Sequence, residues 1–176
     1  MAQMIETERL ILRNWRDADL EPWIAMNQDS EVMRYFPKTL TAEESTSMYE
    51  RTLTFLNAHD YGLWAVEVKN RDPFIGFVGL NHQSMALPFM PCVEIGWRLD
   101  KSAWGQGYAT EGAIKILSFG LEDLYIPEIF SFTSTSNTPS IKVMERIGLH
   151  HRADLDFLHP KIEEGNPLRE HVVYSS

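Results

Sequence analysis

The segment CVEIGWRLDKSAWGQGYATEGAIKILSFGLE, Cys92 to Glu122, constrains the fold more than any other part of the chain, because it reads as strand, glycine turn and helix in direct succession. Cys92 to Leu99 has the β-branched and aromatic character of a strand. Asp100 to Ser102 makes a polar break, and Ala109, Ala113, Ile116, Leu117 and Leu121 then recur at helical spacing. Gly105 and Gly107 fall at the junction, where the missing Cβ lets the backbone of Gly105, Gln106, Gly107, Tyr108 and Ala109 turn tightly. The first N–H groups of a helix have no intrahelical acceptor and carry the positive end of its dipole, so this bend is suited to holding a phosphate.

Around this unit, the 176 residues and 44% apolar content suffice for one domain with a real core. Sixteen basic against 25 acidic residues give a net charge of −9, which argues against nucleic acid and against an anionic membrane surface as partners. An amine-bearing substrate fits that charge, and so does a plain role in solubility. Cys92 is the only cysteine, so no intramolecular disulfide and no cysteine-based zinc site can form within one chain, which suits a reducing cytoplasm. MAQMIETERLILRNW lacks a basic region followed by an apolar one, and no segment reaches the roughly 18 unbroken apolar residues of a span. The expected location is therefore the cytoplasm.

Taken in order, Thr7 to Asn14 alternates as a first strand, and Asp17 caps a first helix holding Leu20, Trp23 and Ile24. Ser30 to Pro37 is a turn, and Thr41 with Glu44 forms a capping box for a second helix running toward His59. Tyr61 to Val68 and Phe74 to Asn81 make a hairpin, followed by a loop to Pro91 whose apolar side chains could border a pocket. After the glycine-turn helix, Ile129 to Thr135 is a strand, and Asn137 or Thr138 caps a short helix that stops at Gly148. His150 to Leu158 and Leu168 to Ser175 are read as the last two strands. The sum is an α+β chain: a mostly antiparallel sheet of about seven strands with about four helices.

The run Trp104-Gly105-Gln106-Gly107-Tyr108-Ala109, with Asn137, Ser140 and Glu145-Arg146-Ile147-Gly148-Leu149 downstream, resembles the GNAT superfamily of acyl-CoA-dependent N-acetyltransferases. Glu6-Thr7-Glu8-Arg9-Leu10-Ile11-Leu12-Arg13 and the continuation Thr110-Glu111 look like its Rim-type branch, which includes acetyltransferases of ribosomal-protein N-termini and enzymes acting on small amines. The resemblance implies a mixed, splayed sheet. It also implies that Gln106 to Thr110 give backbone N–H groups to the pyrophosphate of coenzyme A, that Trp97, Arg98 and Leu99 offer strand edges to the pantetheine amides, and that Asn137 bonds the same arm or a linked water. Trp104 stands where the family usually has Arg or Gln.

Acetyl transfer requires that an amine and a thioester be aligned, a proton removed from the ammonium, the oxyanion steadied and the thiolate protonated. Glu94 matches the carboxylate that serves as base in Rim-type relatives, and burial between Val93 and Ile95 would raise its pKa into the working range. It could equally pair with Arg98 or face solvent. Met144 occupies the position where many GNAT enzymes place a tyrosine acid, and Ser140 matches the serine some Rim-type members use instead; a small helix-start residue is the other reading of Ser140.

His159 and His171 fall where the acceptor site of such a fold would be bordered, and either could orient the acceptor, assist proton removal or be structural. His150 and His151, adjacent on a strand, would point to opposite faces, and no metal is expected. Trp15, Trp23, Tyr35 and Phe36 are read as core, and Cys92 as packing. A third glycine and a βαβ unit, needed for a dinucleotide fold, are missing. The expected activity is transfer of acetyl from acetyl-CoA to a primary amine within a ternary complex. An idle CoA-binding domain and an enzyme for another acyl-CoA are the alternatives, with a homodimer left open.

Overall fold

The computed structural model describes residues 2–176. Nine strands form one sheet in the order β1-β2-β3-β4-β5-β6-β9-β7, with β8 also paired to β9. In chain order they are β1 (Ile5–Glu6), β2 (Leu10–Arg13), β3 (Leu63–Val68), β4 (Gly76–Gln83), β5 (Cys92–Leu99), β6 (Ile129–Ser134), β7 (His150–His151), β8 (Phe157–Leu158) and β9 (Glu170–Ser175). Every pairing is antiparallel except that of β5 with β6. The helices are α1 (Leu20–Gln28), α2 (Ala42–Ala58), α3 (Tyr108–Ser118) and α4 (Thr138–Arg146).

The α+β reading holds, and the count rises from seven strands to nine. The first predicted strand, Thr7 to Asn14, shortens to β2, because its start is a turn in which Thr7 N–H donates to the Leu10 carbonyl, and the unpredicted β1 precedes that turn. The strand expected over His150 to Leu158 is broken by a 3-10 turn at Ala153–Leu155, leaving two short strands on the same edge of β9. Asp17 does not cap α1 directly, because a 3-10 turn over Asp17–Asp19 precedes the helix. The Thr41 capping box is formed as expected: the Thr41 hydroxyl accepts from the Glu44 N–H, and the Glu44 carboxylate accepts from the Thr41 N–H.

Strand alternation decides which helices cover which face. Trp23 of α1 packs against Phe77 with ring centroids 5.8 Å apart. Gly112 of α3 lies against Val78 and Leu10, and a Cβ there would meet Val78 at 3.3 Å. Phe77 and Val78 are neighbours on β4, so α1 and α3 lie on opposite faces. Between α1 and the sheet, Arg13 makes a bidentate pair with Asp19 at 2.8 and 3.0 Å and a further bond to Glu67 at 2.9 Å. Burial alone would lower the Arg13 pKa, but these hydrogen bonds outweigh it and raise it, so the buried charge is compensated.

Candidate active site

β5 and β6 are parallel neighbours only at Val93 opposite Ile129 and Glu94 opposite Phe130. Beyond that point the strands separate, and the β6-facing edge of β5 over Gly96 to Leu99 has no partner strand. One side-chain bond spans the start of the gap, Ser131 Oγ donating to the Ile95 carbonyl at 2.9 Å. The separation opens a cleft of about 1190 Å³, lined from both faces of the sheet by β5, the α1–α2 connection, the start of α3, α4 and the loop before β9.

At one end of the cleft lies the glycine bend. Gly105 and Gly107 both take positive φ, +72° and +80°, a region that L side chains disfavour by about 1–2 kcal/mol. The first helical bond of α3 runs from the Glu111 N–H to the Gly107 carbonyl at 3.0 Å, so the N–H groups of Tyr108, Ala109 and Thr110 have no intrahelical acceptor. Gly105, Gln106 and Gly107 are exposed, and Ala109 and Thr110 line the cleft. Trp104 is 46% exposed, and its indole N–H donates to the Leu99 carbonyl at 2.9 Å, pinning the bend to the end of β5.

The sequence did not reveal how the bend is held from the other side. Thr7 Oγ1 donates to Glu111 at 2.6 Å, the Arg9 backbone N–H at 2.8 Å and Arg9 Nε at 2.7 Å. Burial works to raise the Glu111 pKa, but these bonds outweigh it and hold it below the usual carboxylate range. The Arg9 guanidinium then stacks 4.6 Å from the Tyr108 ring centroid. The Thr7-Glu8-Arg9 and Thr110-Glu111 segments, 102 residues apart, are thus one structural unit.

Midway along the cleft is Glu94. Its carboxylate accepts from Gln83 Nε2 at 2.5 Å, and burial pushes its pKa up to about 7 while the Gln83 bond works weakly against that rise. Part of the side chain opens onto the cleft, yet the carboxylate sits deep enough to lose most of its hydration, so the upward direction follows from position. It does not pair with Arg98. Ser140, in the first turn of α4, lines the same cleft. Asn137 caps that helix, its Oδ1 accepting from the Ser140 N–H at 3.3 Å while its Nδ2 donates to Thr133 Oγ1 at 2.8 Å. Met144 is 1% exposed behind them.

Strand alternation separates the predicted β5 residues. Trp97 and Leu99 pack into the α3-side core, whereas Glu94, Gly96 and Arg98 face α1. The Arg98 side chain therefore turns away from the glycine bend and reaches Asn27 of α1, to which Nη1 donates at 2.8 Å. Tyr35 and Phe36, read as core, instead line the cleft, and Phe36 is 43% exposed. The turn Ser30 to Pro37 crosses over Arg98 rather than folding under the sheet, which carries these rings to the surface. Trp15 and Trp23 are core as expected, at 6% and 1% exposure.

His159 and His171 meet at the far wall with ring centroids 4.9 Å apart. Burial pushes His171 down to about 4, with the Arg169 carbonyl acting the other way and His159 reinforcing the drop; burial also lowers His159. Both are neutral at pH 7. Cys92 is buried beside Phe130 and Val173, and burial raises its thiol to about 12, in keeping with a packing role. No group of three or more potential metal ligands occurs among the described residues, and no helix there is long and apolar enough to cross a membrane. The charged cleft-lining residues are Arg34, Arg98, Lys142, Arg146 and Lys161 against Glu31 and Glu94, so the cleft is locally basic in an acidic chain.

The chain as a whole has relatives of known sequence and structure. The chain is 26% identical over 171 residues to a Bacillus subtilis protein named uncharacterized N-acetyltransferase YnaD, covering 97% of this chain and 95% of that one. An acetyltransferase of the GNAT family from Bacillus anthracis superposes with a TM-score of 0.81 at 25% identity, covering 99% and 98% of the two chains. The structure described as RimL, ribosomal L7/L12 alpha-N-protein acetyltransferase in complex with coenzyme A, shares the fold with a TM-score of 0.78 at 14% identity, covering 99% and 97%. The sequence family described as Acetyltransferase (GNAT) domain matches residues 9–150, and the chain belongs to that family as an acetyl-CoA-dependent acetyltransferase.

Proposed function

We propose that this enzyme belongs to the Rim-type branch and transfers acetyl from acetyl-CoA to a primary amine by direct attack in a ternary complex. The free N–H groups at Gln106 to Thr110 hold the pyrophosphate, and the unpaired β5 edge at Trp97, Arg98 and Leu99 pairs with the pantetheine amides as an added strand would. Asn137 supports that arm from α4 by fixing the helix start. Trp104 serves through its bond to Leu99, leaving anion contact to the backbone.

On the opposite face, Glu94 takes the proton from the incoming ammonium. The neutral amine nitrogen then attacks the thioester carbonyl, the C–S bond breaks, and the proton shed by the nitrogen as it becomes an amide passes to the CoA thiolate, to which the nearby Ser140 hydroxyl donates a hydrogen bond. The observation that carries this reading is a carboxylate deep inside the cleft, on the strand whose neighbour diverges, where burial pushes its pKa up toward the working range. Thiol release from acetyl-CoA with a panel of primary amines, beside calorimetry with CoA alone, tests it. Binding of CoA with amine-dependent thiol release is expected. Thiol release without any acceptor dependence, or none with any amine, overturns it.

A further inference from the structure

The acceptor face of the cleft holds a cation that no charged group among the described residues neutralises. Arg98 makes one hydrogen bond, from Nη1 to Asn27 Oδ1 at 2.8 Å. Its Nε is buried and without a partner, Nη2 has none among the described residues, and no Asp or Glu there pairs with it. Asn27 is fully buried, and its own Nδ2 donates to Ser45 Oγ at 3.2 Å, which fixes the Oδ1 end toward Arg98. Phe36, Trp23 and Phe77 surround the guanidinium at 4.5, 5.4 and 5.7 Å. Burial lowers its pKa to about 10, which leaves it charged at neutral pH.

A buried, unpaired N–H costs about 1–3 kcal/mol, so a guanidinium held this way serves something other than stability. Nε and Nη2 form one edge of the guanidinium fork, the edge that grips a carboxylate with two parallel bonds. Asn27 holds the opposite corner and leaves that edge unused. Gly96 lies between Glu94 and Arg98 on the same strand face, and a Cβ there would meet nothing within 4 Å, so open space joins the two. Glu94 and Arg98 are four residues apart, roughly 13 Å at Cα, a span that a small amine with an anionic end can bridge together with both side chains.

We infer that the acceptor is an amino acid or short peptide with a free carboxylate, its amine at Glu94 and its carboxylate on the Nε–Nη2 edge of Arg98. This rests on the acetyltransferase reading above and narrows its substrate class. Phe36, exposed at the rim, is the side chain that such a ligand displaces to reach the edge. A protein N-terminus has no free α-carboxylate near its amine, so the proposal separates a free amino acid or short peptide from a protein acceptor.

The test is a matched panel of α-amino acids, ω-amino acids and dipeptides, each as the free carboxylate and as the carboxamide, assayed by thiol release. Wild type is expected to favour at least one carboxylate over its carboxamide by about 100-fold in kcat/KM. Arg98→Gln should bring that ratio within about threefold, and Arg98→Lys, which keeps the charge but loses the fork, should fall between. The wild-type ratio is informative whether or not the variants fold. Equal use of both arms, or a preference for carboxamides and blocked peptides, overturns the Arg98 assignment while leaving acetyl transfer standing. No thiol release with either arm or with any other amine overturns both.

Discussion

Glu94 concentrates the chemistry in a single side chain. Its position on β5 was legible because strand, glycine bend and helix follow one another without interruption. Its partner was not: Gln83 lies across an eight-residue loop, and the register that sets Asn81 opposite Glu94 comes from pairing along the whole hairpin. The direction of the pKa shift depends on burial in a cleft that only the assembled sheet creates. With its pKa pushed up to about 7, the fraction of Glu94 that is ionised and able to accept a proton rises steeply through neutrality. We expect kcat/KM to rise with pH through about 7, and Glu94→Gln to lower it by roughly 100-fold and abolish that limb while calorimetry shows CoA affinity nearly intact. An unchanged pH profile in the variant would remove Glu94 from proton transfer.

At the scale of elements, the bend before α3 was the most readable part of the chain, because only glycine takes positive φ cheaply and two stand there with a single residue between them. What the sequence concealed is the tie that holds it, since Thr7, Arg9 and Glu111 reveal their contact only when β2 and α3 pack. The short strands β7 and β8 read as one in the sequence because Ala153, Leu155 and Phe157 alternate with polar residues straight through the 3-10 turn, with no glycine or proline to mark it. Gly107→Ala puts a side chain at φ +80°, with its Cβ 3.5 Å from Arg9 Nη2. It should cost about 1–2 kcal/mol of stability and, by re-aiming the N–H groups, weaken CoA binding at least tenfold. Gly148→Ala, at φ +91° with nothing within 4 Å of its Cβ, is the control. It should show a similar loss of melting temperature with CoA binding retained; equal CoA losses in both variants would mean that strain, not N–H aim, governs the bend.

For the whole molecule, net charge pointed away from nucleic acid but said nothing of the basic cleft, because charges scattered along the chain reach one wall only after folding. The same cleft gathers two groups whose titrations oppose each other. Glu94 binds its proton more tightly folded than unfolded between about pH 4.5 and 7, so its contribution to stability falls as pH rises through that window. His171 holds its proton less tightly folded, between about 4 and 6.5, so its contribution is full above 6.5 and is lost as pH falls. From pH 4.5 to 6.5 the two slopes, each up to about 1.4 kcal/mol per pH unit, largely cancel in the wild type. Glu94→Gln should therefore melt progressively lower, relative to wild type, as pH drops across this range, and His171→Gln progressively lower as pH rises. The double variant should again run parallel to wild type. Thermal melts at half-unit steps from pH 4.5 to 7 decide it: if both single variants keep the wild-type slope, solvent in the open cleft screens these groups too well for either shift to bear on folding.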